Sequence, residues 1–361
     1  MPGAPAARCR RHGRIGWITL NRPGSINALN LRVIRAVTAA LLAWAEDPSV
    51  AVVLLDGAGE RGFCAGGDIR VVRESALGDP EIAARLWREE YELIALIADY
   101  PRPVAVMMDG ITMGGGVGLG AHASVRLVSE RTVMAMPEVQ IGLAPDVGAA
   151  LRFARAPGET GTHCALTGSR IGPRDAVYCG LADQVIMSER LPSVIDALAD
   201  PRVPAEPAAL LARIRQVAAA EGSRPGDLAG SRPWIDACYR ADTVAEILAA
   251  LRARPETPAA AAASAIEAAS PLALTVTLRA LRAARTMTHV RECLAQDYRL
   301  CLRFLRTHDL AEGIRAAVID KDRTPRWAPA ALAEISTAMV DSHFAADRGP
   351  SPTPAWQTSR V

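Results

Sequence analysis

The groups whose types and spacing could do chemistry are two glycine clusters and three acidic residues. Gly114-Gly115-Gly116 opens a helical segment, where glycine leaves backbone N–H groups unobstructed and pointing outward. Such donors bind a phosphate or stabilise an oxyanion. Gly66-Gly67, in GFCAGGD, offers a second cluster. One cluster alone is more often a tight turn that lets a strand and a helix pack closely. Two equivalent clusters favour function.

Glu90 lies in the helical run IAARLWREEYELIALIADY, where Ile82, Leu86, Leu93 and Ile97 form an apolar stripe. Its neighbours at i±3 and i±4 are Leu86, Trp87, Leu93 and Ile94. A carboxylate on that face is costly unless satisfied, so it is a functional group, a structural salt bridge or a residue at the edge of the stripe. Glu138 and Asp146 belong to MPEVQIGLAPDVG, in which Gly142 and Pro145 forbid a shared regular helix face. Only a loop can bring the two together. Taken singly, Asp146 reads as the N-cap of a helix starting at Val147, and Glu138 as a solvated residue.

Other residues read as structural. Asp68 caps the following helix, Cys64 fills core space, and His122 sits on an apolar helix. Gly116-Val-Gly118-Leu-Gly-Ala121 after a strand, with Glu130 ending the next apolar run, satisfies a dinucleotide pattern that glycine runs also meet by chance. No GxSxG or HExxH motif is present.

The elements that must position these groups alternate along the first half. Ile15–Leu20, 51–55, Val104–Met108 and 125–128 read as strands. Residues 28–44 and 80–99 read as helices. This alternation predicts an α/β architecture with much parallel pairing. Residues 51–68 and 104–120 share one plan: apolar strand, Asp-Gly turn, glycine cluster, helix. Two backbone-exposing turns are therefore expected at comparable ends of adjacent strands.

From about residue 191, alanine, arginine and leucine dominate and strand signals nearly vanish, predicting helices over 200–320. The expected division is a catalytic α/β core over 1–200, a helical region over 201–340 and a mobile tail over 341–361.

The chain has 361 residues, 50% of them hydrophobic and 22% charged, enough for a substantial core. Lys and Arg number 41 against 39 Asp and Glu, a sum of +2 that disfavours a nucleic-acid partner bound by bulk charge. Lys321 is the only lysine. No apolar run of about 18 residues predicts a membrane span, and the N-terminal residues lack a secretory apolar core. Seven scattered cysteines without CxxC spacing predict neither disulfides nor a zinc site, and point to a reducing cytoplasm.

Together these residues resemble the crotonase superfamily of acyl-CoA enzymes. The resemblance rests on ITLNRP at 18–23, Asn27-Ala28-Leu29, GFCAGGDIR at 62–70, GITMGGGVGLG at 110–120, MPEVQIGLAPDVG at 136–148 and LTGSRIGPRDAVYCGLAD at 166–183. REEY at 88–91, SPLALTVTLRAL at 270–281 and HDLAEGIRAAVIDKDRTPRW at 308–327 resemble its 3-hydroxyisobutyryl-CoA hydrolase branch. The motifs cover about residues 13–337.

The resemblance implies a spiral of ββα repeats with a helical C-terminal region. It also implies hydrolysis of a short 3-hydroxyacyl-CoA in valine breakdown. It assigns the oxyanion hole to the N–H groups of Gly67 and Gly115, catalysis to Glu138 and Asp146, and substrate binding to Glu90. No metal or cofactor is implied beyond the CoA of the substrate, no nucleic acid or membrane is called for, and a homo-oligomer is compatible with the pattern. A resembling enoyl-CoA hydratase would carry a second catalytic glutamate where this chain has Gly118, and usually glycine in place of Asp146. The chain departs from the hydrolase branch at Ala149-Ala150-Leu151, where that branch continues with glycines. The alternatives are a hydratase or isomerase of the same superfamily, a nicotinamide-dependent oxidoreductase and a non-enzymatic acyl-CoA-binding scaffold.

Overall fold

The computed structural model describes residues 4–218 and 226–345. Its strands are β1 (Ala7–His12), β2 (Ile15–Leu20), β3 (Val52–Gly57), β4 (Val104–Met108), β5 (Ile111–Met113), β6 (Val125–Ser129), β7 (Val133–Ala135) and β8 (Gln184–Ile186). The first helices are α1 (Leu31–Ala45), α2 (Ile69–Leu77), α3 (Pro80–Ala98), α4 (Gly115–Ala121), α5 (Ala149–Ala154), α6 (Thr160–Thr167), α7 (Pro173–Tyr178) and α8 (Leu191–Ala199). There follow α9 (Pro207–Ala218), α10 (Asp227–Tyr239), α11 (Val244–Arg252), α12 (Thr257–Ala268), α13 (Pro271–Ala284), α14 (Val290–Phe304), α15 (His308–Ile314) and α16 (Thr337–Phe344).

Two compact units share these elements. The sheet unit comprises Met1–Gly67, Leu93–Met134 and Ile171–Ala229, and the helical unit comprises Asp68–Glu92, Ala135–Arg170 and Gly230–Val361. The contacts therefore do not divide the chain at residue 200. Helix α9, beyond that point, presses Leu210, Ile214 and Ala218 into one core cluster with Ile15, Leu54, Met107 and Leu127. Its apolar face needs the sheet, and burial of that face decides where it belongs. Helix α16 runs to Phe344, so the chain is still helical beyond 340; residues 346–361 of the expected tail lie outside the described residues.

In the sheet unit the strand order is β1-β2-β3-β4-β6-β8. In this six-stranded sheet β1–β2 is antiparallel and the other pairs are parallel; Ile18 faces Leu55, Leu54 faces Ala105 and Met107 faces Leu127 across the parallel pairs. Continuous apolar runs such as VAVMM of β4, buried at every residue, are what a sheet covered on both faces requires. The parallel α/β reading of the first half holds. The strand β1 is an addition to it: of Ala-Arg-Cys-Arg-Arg-His only Ala7 is buried, so a charged edge strand shows no apolar alternation.

The helical unit contains α2, the larger part of α3, α5, α6 and α11–α16. The predicted stripe of α3 is buried at Leu86, Leu93 and Ile97, while Ile82 is 47% exposed. Ile82 stands in the first turn, and burial begins one residue later at Ala83 and Ala84. Among the described residues no single helix is long and apolar enough to cross a membrane.

Candidate active site

In the sheet unit the strands, Asp-Gly turns and glycine clusters of the duplicated plan are built as expected; the first copy's helix, α2, belongs to the helical unit, and the second copy inserts β5 before its glycine cluster. Gly66 (φ 100°) and Gly114 (φ 49°) both take left-handed backbone that favours glycine, and each immediately precedes a donor residue, Gly67 or Gly115. The two turns lie side by side. Cys64 N–H donates to Ile111 O at 3.2 Å, and Met113 N–H donates to Cys64 O at 2.9 Å. A Cβ on Gly66 would stand 3.0 Å from Met113 O and 3.3 Å from the Gly115 nitrogen, so only glycine allows this approach. No hydrogen bond among the described residues uses the N–H of Gly67 or of Gly115. Gly115 is the first residue of α4, where helix geometry leaves the N–H without an internal acceptor.

Asn27 fixes the first of these turns. Its side-chain amide donates to the carbonyls of Ala58, Gly62 and Phe63 at 3.0–3.2 Å, and its carbonyl oxygen accepts from Arg22 N–H at 2.9 Å. A buried amide satisfied in this way ties the strand end to the loop that carries Gly67. Gly116 sits inside α4 against Cys64, and Gly120 against Met108, so both are packing glycines. The dinucleotide pattern is thus part of a helix interior, not of a strand-to-helix turn.

The helical unit gathers the three carboxylates. Glu90 is 2% exposed, Glu138 6% and Asp146 7%. Burial pushes the Glu138 carboxyl well above the usual range, and the Asp146 and Glu90 charges push it further. Burial, then Asp146, does the same to Glu90. Asp146 itself is pushed up to about 6 by burial, against a hydrogen bond from Tyr91 that lowers it. Glu90 Oε1 and Glu138 Oε2 are buried without a hydrogen-bond partner. Buried polar atoms are normally satisfied, so two unsatisfied oxygens in one acidic cluster point to a ligand-binding role.

Each carboxylate is placed by local sequence. Glu138 begins a 3₁₀ turn, Glu138–Ile141, closed by Gly142 at φ 74°. Gly142 and Gly313 let α15 pack directly on that turn: a Cβ on Gly313 would stand 2.5 Å from the Ile141 carbonyl carbon. Ser270, the N-cap of α13, donates its N–H to Val139 O at 3.1 Å and its hydroxyl to Asp309 at 2.5 Å. The segments beginning SPLALT and HDLAEG are therefore supports of the Glu138 turn. Glu90 projects from α3 on the face the stripe predicted.

Asp146 is not a helix cap. Helix α5 starts at Ala149 with Gly148 as its N-cap, and Asp146 Oδ2 instead accepts a hydrogen bond from Tyr91 at 2.5 Å. The bland reading of Glu138 as solvated fails by burial. Asp68 does occupy the N-cap of α2, without a capping side-chain hydrogen bond, and Cys64 is buried as expected. The structure thus brings Glu90, Glu138 and Asp146 together in one unit, and Gly67 and Gly115 together in the other.

Three residues escaped the sequence reading: Tyr91, Asp297 and Cys301. Cys301 Sγ lies 3.2 Å from the Tyr91 hydroxyl, and Asp297 Oδ2 accepts from Gly148 N–H at 2.8 Å. A signal for Asp297 was present. Its neighbours at i±3 and i±4 are Cys293, Leu294, Leu300 and Cys301, the same apolar surrounding that marked Glu90. A cavity of about 360 Å³, lined by Arg73, Leu77, Arg306, His308 and Glu312 among others, opens on the helical unit but includes none of Glu90, Glu138 and Asp146. Among the described residues no group of three His, Cys, Asp or Glu side chains is arranged to hold a metal ion.

A family model described as enoyl-CoA hydratase/isomerase matches residues 15–344. The chain belongs to that family. Within its range, 3-hydroxyisobutyryl-CoA hydrolase, mitochondrial, of Xenopus tropicalis is 38% identical over 334 residues, 92% of this chain and 86% of the relative. The Homo sapiens protein of the same name is 37% identical over 336 residues, 92% and 87% of the two chains. Among solved structures, a carnitinyl-CoA dehydratase from Mycobacterium thermoresistibile superposes with a TM-score of 0.89 at 43% identity, covering 95% of this chain and 97% of that one. An enoyl-CoA hydratase from Rhodobacter sphaeroides 2.4.1 gives 0.85 at 39% identity, covering 94% and 97%. The crotonase-type fold is therefore shared along nearly the whole chain, and the names of the relatives divide between hydrolase and hydratase chemistry.

Proposed function

We propose that this family member is an acyl-CoA thioester hydrolase acting on a short 3-hydroxyacyl-CoA, with 3-hydroxyisobutyryl-CoA in valine breakdown as its substrate. The observation that carries this reading is the acidic cluster: Glu138 Oε2 and Glu90 Oε1 buried without partners, beside an Asp146 fastened by Tyr91. The curated relatives named as 3-hydroxyisobutyryl-CoA hydrolases support the reaction and the acyl group.

In this reading the thioester carbonyl accepts from the N–H groups of Gly67 and Gly115. Donors fixed in advance act most strongly on the negative charge that develops in the tetrahedral intermediate. Glu138 attacks the carbonyl carbon, the C–S bond breaks, and CoA leaves as a thiolate that takes up a proton. Water then cleaves the mixed anhydride to the free acid and restores Glu138. In the variant of this route Glu138 instead removes a proton from the attacking water. Asp146 orients the water or the leaving group, and Glu90 binds the 3-hydroxyl. CoA enters as part of the substrate and the residues call for no separate cofactor. None of the seven cysteines forms a disulfide, and we place the reaction in the cytoplasm.

A second reading, hydration of an enoyl-CoA, is favoured by the names of the two solved structures. Against it, position 118 is a glycine inside α4 and supplies no second carboxylate there. A thiol reagent applied to a small acyl-CoA panel separates the two. Hydrolysis frees one thiol per thioester consumed, fastest with 3-hydroxyisobutyryl-CoA. Loss of the enoyl absorbance of crotonyl-CoA with no thiol released would overturn the assignment.

A further inference from the structure

The turn that carries Asp146 is an unusual piece of backbone. Val147 (φ 56°) and Gly148 (φ 76°) are both left-handed, and a β-branched residue tolerates that conformation poorly. Such a turn persists only where its surroundings over-determine it. Three side chains outside the turn meet it, one of them Cys301, whose Sγ stands 3.8 Å from Asp146 Oδ2. From α3, the Tyr91 hydroxyl donates to Asp146 Oδ2 at 2.5 Å. From α14, Asp297, 1% exposed, accepts the Gly148 N–H at 2.8 Å.

We propose that Tyr91 and Asp297 are positioning residues that clamp the Asp146-Val147-Gly148 turn from two helices and hold the Asp146 carboxylate in its working orientation. This rests on the hydrolase reading for what Asp146 does, but the clamp itself is a statement about geometry. Neither residue need touch substrate. Tyr91 fixes the carboxylate oxygen directly, whereas Asp297 fixes the backbone two residues on. Ala149 N–H closes the turn on Asp146 O at 2.9 Å, so restraint at Gly148 reaches the aspartate through one tight loop.

The groups facing Asp146 decide how each variant reads out. They are Tyr91 and Glu90 from α3, Cys293, Cys301 and Asp297 from α14, and Glu138 from the 3₁₀ turn. Burial, then the Asp146 charge, pushes the Asp297 carboxyl well above its usual range, while its Oδ2 accepts the Gly148 N–H. An amide oxygen accepts the same N–H, which makes Asp297→Asn the conservative control. Tyr91→Phe keeps the ring in place and removes only the donor.

The test combines kcat and KM for CoA release with the titration of the Asp146 carboxyl carbon, followed by ¹³C NMR in aspartate-labelled protein and assigned with Asp146→Asn. Tyr91→Phe should lower kcat about tenfold, leave KM within about twofold, and move the titration of Asp146 upward, because the lost hydrogen bond favoured the charged form. Asp297→Leu should lower kcat by about 10–10²-fold, and Asp297→Asn should recover most of that loss. Wild-type kcat and an unmoved titration in Tyr91→Phe would overturn the clamp, whether or not Asp297→Leu folds. If the wild type itself frees no thiol, the hydrolase reading fails, and the titration still supports or overturns the clamp.

Discussion

The sheet unit and the helical unit offer opposite kinds of chemistry. In the first, the groups free to act are backbone N–H donors at Gly67 and Gly115, held by left-handed glycines and by the bonds between Cys64 and the 111–113 strand. They carry no titratable proton, and no side-chain exchange short of proline removes them. In the second, the acting groups are carboxylates whose burial raises them all. On the proposed mechanism the difference says where pH sensitivity should arise: the backbone donors are pH-invariant, and the ionisations that gate turnover are those of the helical unit's carboxylates.

The largest break in that comparison is Glu138→Gln. It should cost about 10²–10⁴-fold in CoA release, measured with a thiol reagent, with circular dichroism unchanged. Gly115→Pro acts on the other unit. Proline fits the first position of a helix but has no N–H. It should cost about 10²–10³-fold in kcat, and the pH profile should keep its shape because no titrating group has changed.

Asp146→Asn sharpens the electrostatic half. The Asp146 charge raises Glu138, so its removal makes Glu138 easier to ionise. The acid limb of kcat/KM should therefore move to lower pH, a direction that a pH–rate series reads directly. The same variant has a stability consequence. With Asp146 at about 6 in the folded chain and 3.8 as its ordinary value, the folded state holds the proton more tightly. No cost applies below pH 3.8; it accumulates between 3.8 and 6 and is full above that. Asp146→Asn should therefore unfold at a higher temperature than the wild type at pH 8, by an amount worth up to about 3 kcal/mol. At pH 3.5 the advantage should be absent.

Much of the sheet unit was legible because strand burial writes itself into continuous apolar runs: Ile15–Leu20 and Val104–Met108 match their strands end to end. β1 was illegible because an arginine-rich edge strand hides one residue only. In the helical unit Glu90 could be found from its apolar neighbours on α3, since helical periodicity is local. The partner of Asp146 could not. Tyr91 and Asp146 are 55 residues apart, and Gly148 and Asp297 are 149 apart, so their pairing is decided by tertiary packing. That is also why Asp146 looked like a helix cap: the residues Asp-Val-Gly-Ala permit one, and only the left-handed Val147 and Gly148 delay the helix to Ala149. The roles of Ser270 and Gly313 under the Glu138 turn were equally hidden, although the motifs containing them stood out.

The most direct test of the division of labour is the stoichiometry of free CoA to free 3-hydroxyisobutyrate, taken on the wild type and on Glu138→Gln side by side. The account predicts one thiol per acid released by the wild type and a rate at least about 10²-fold lower in the variant, with both proteins equally folded. Equal rates in the two proteins, or consumption of thioester without a thiol, would contradict it.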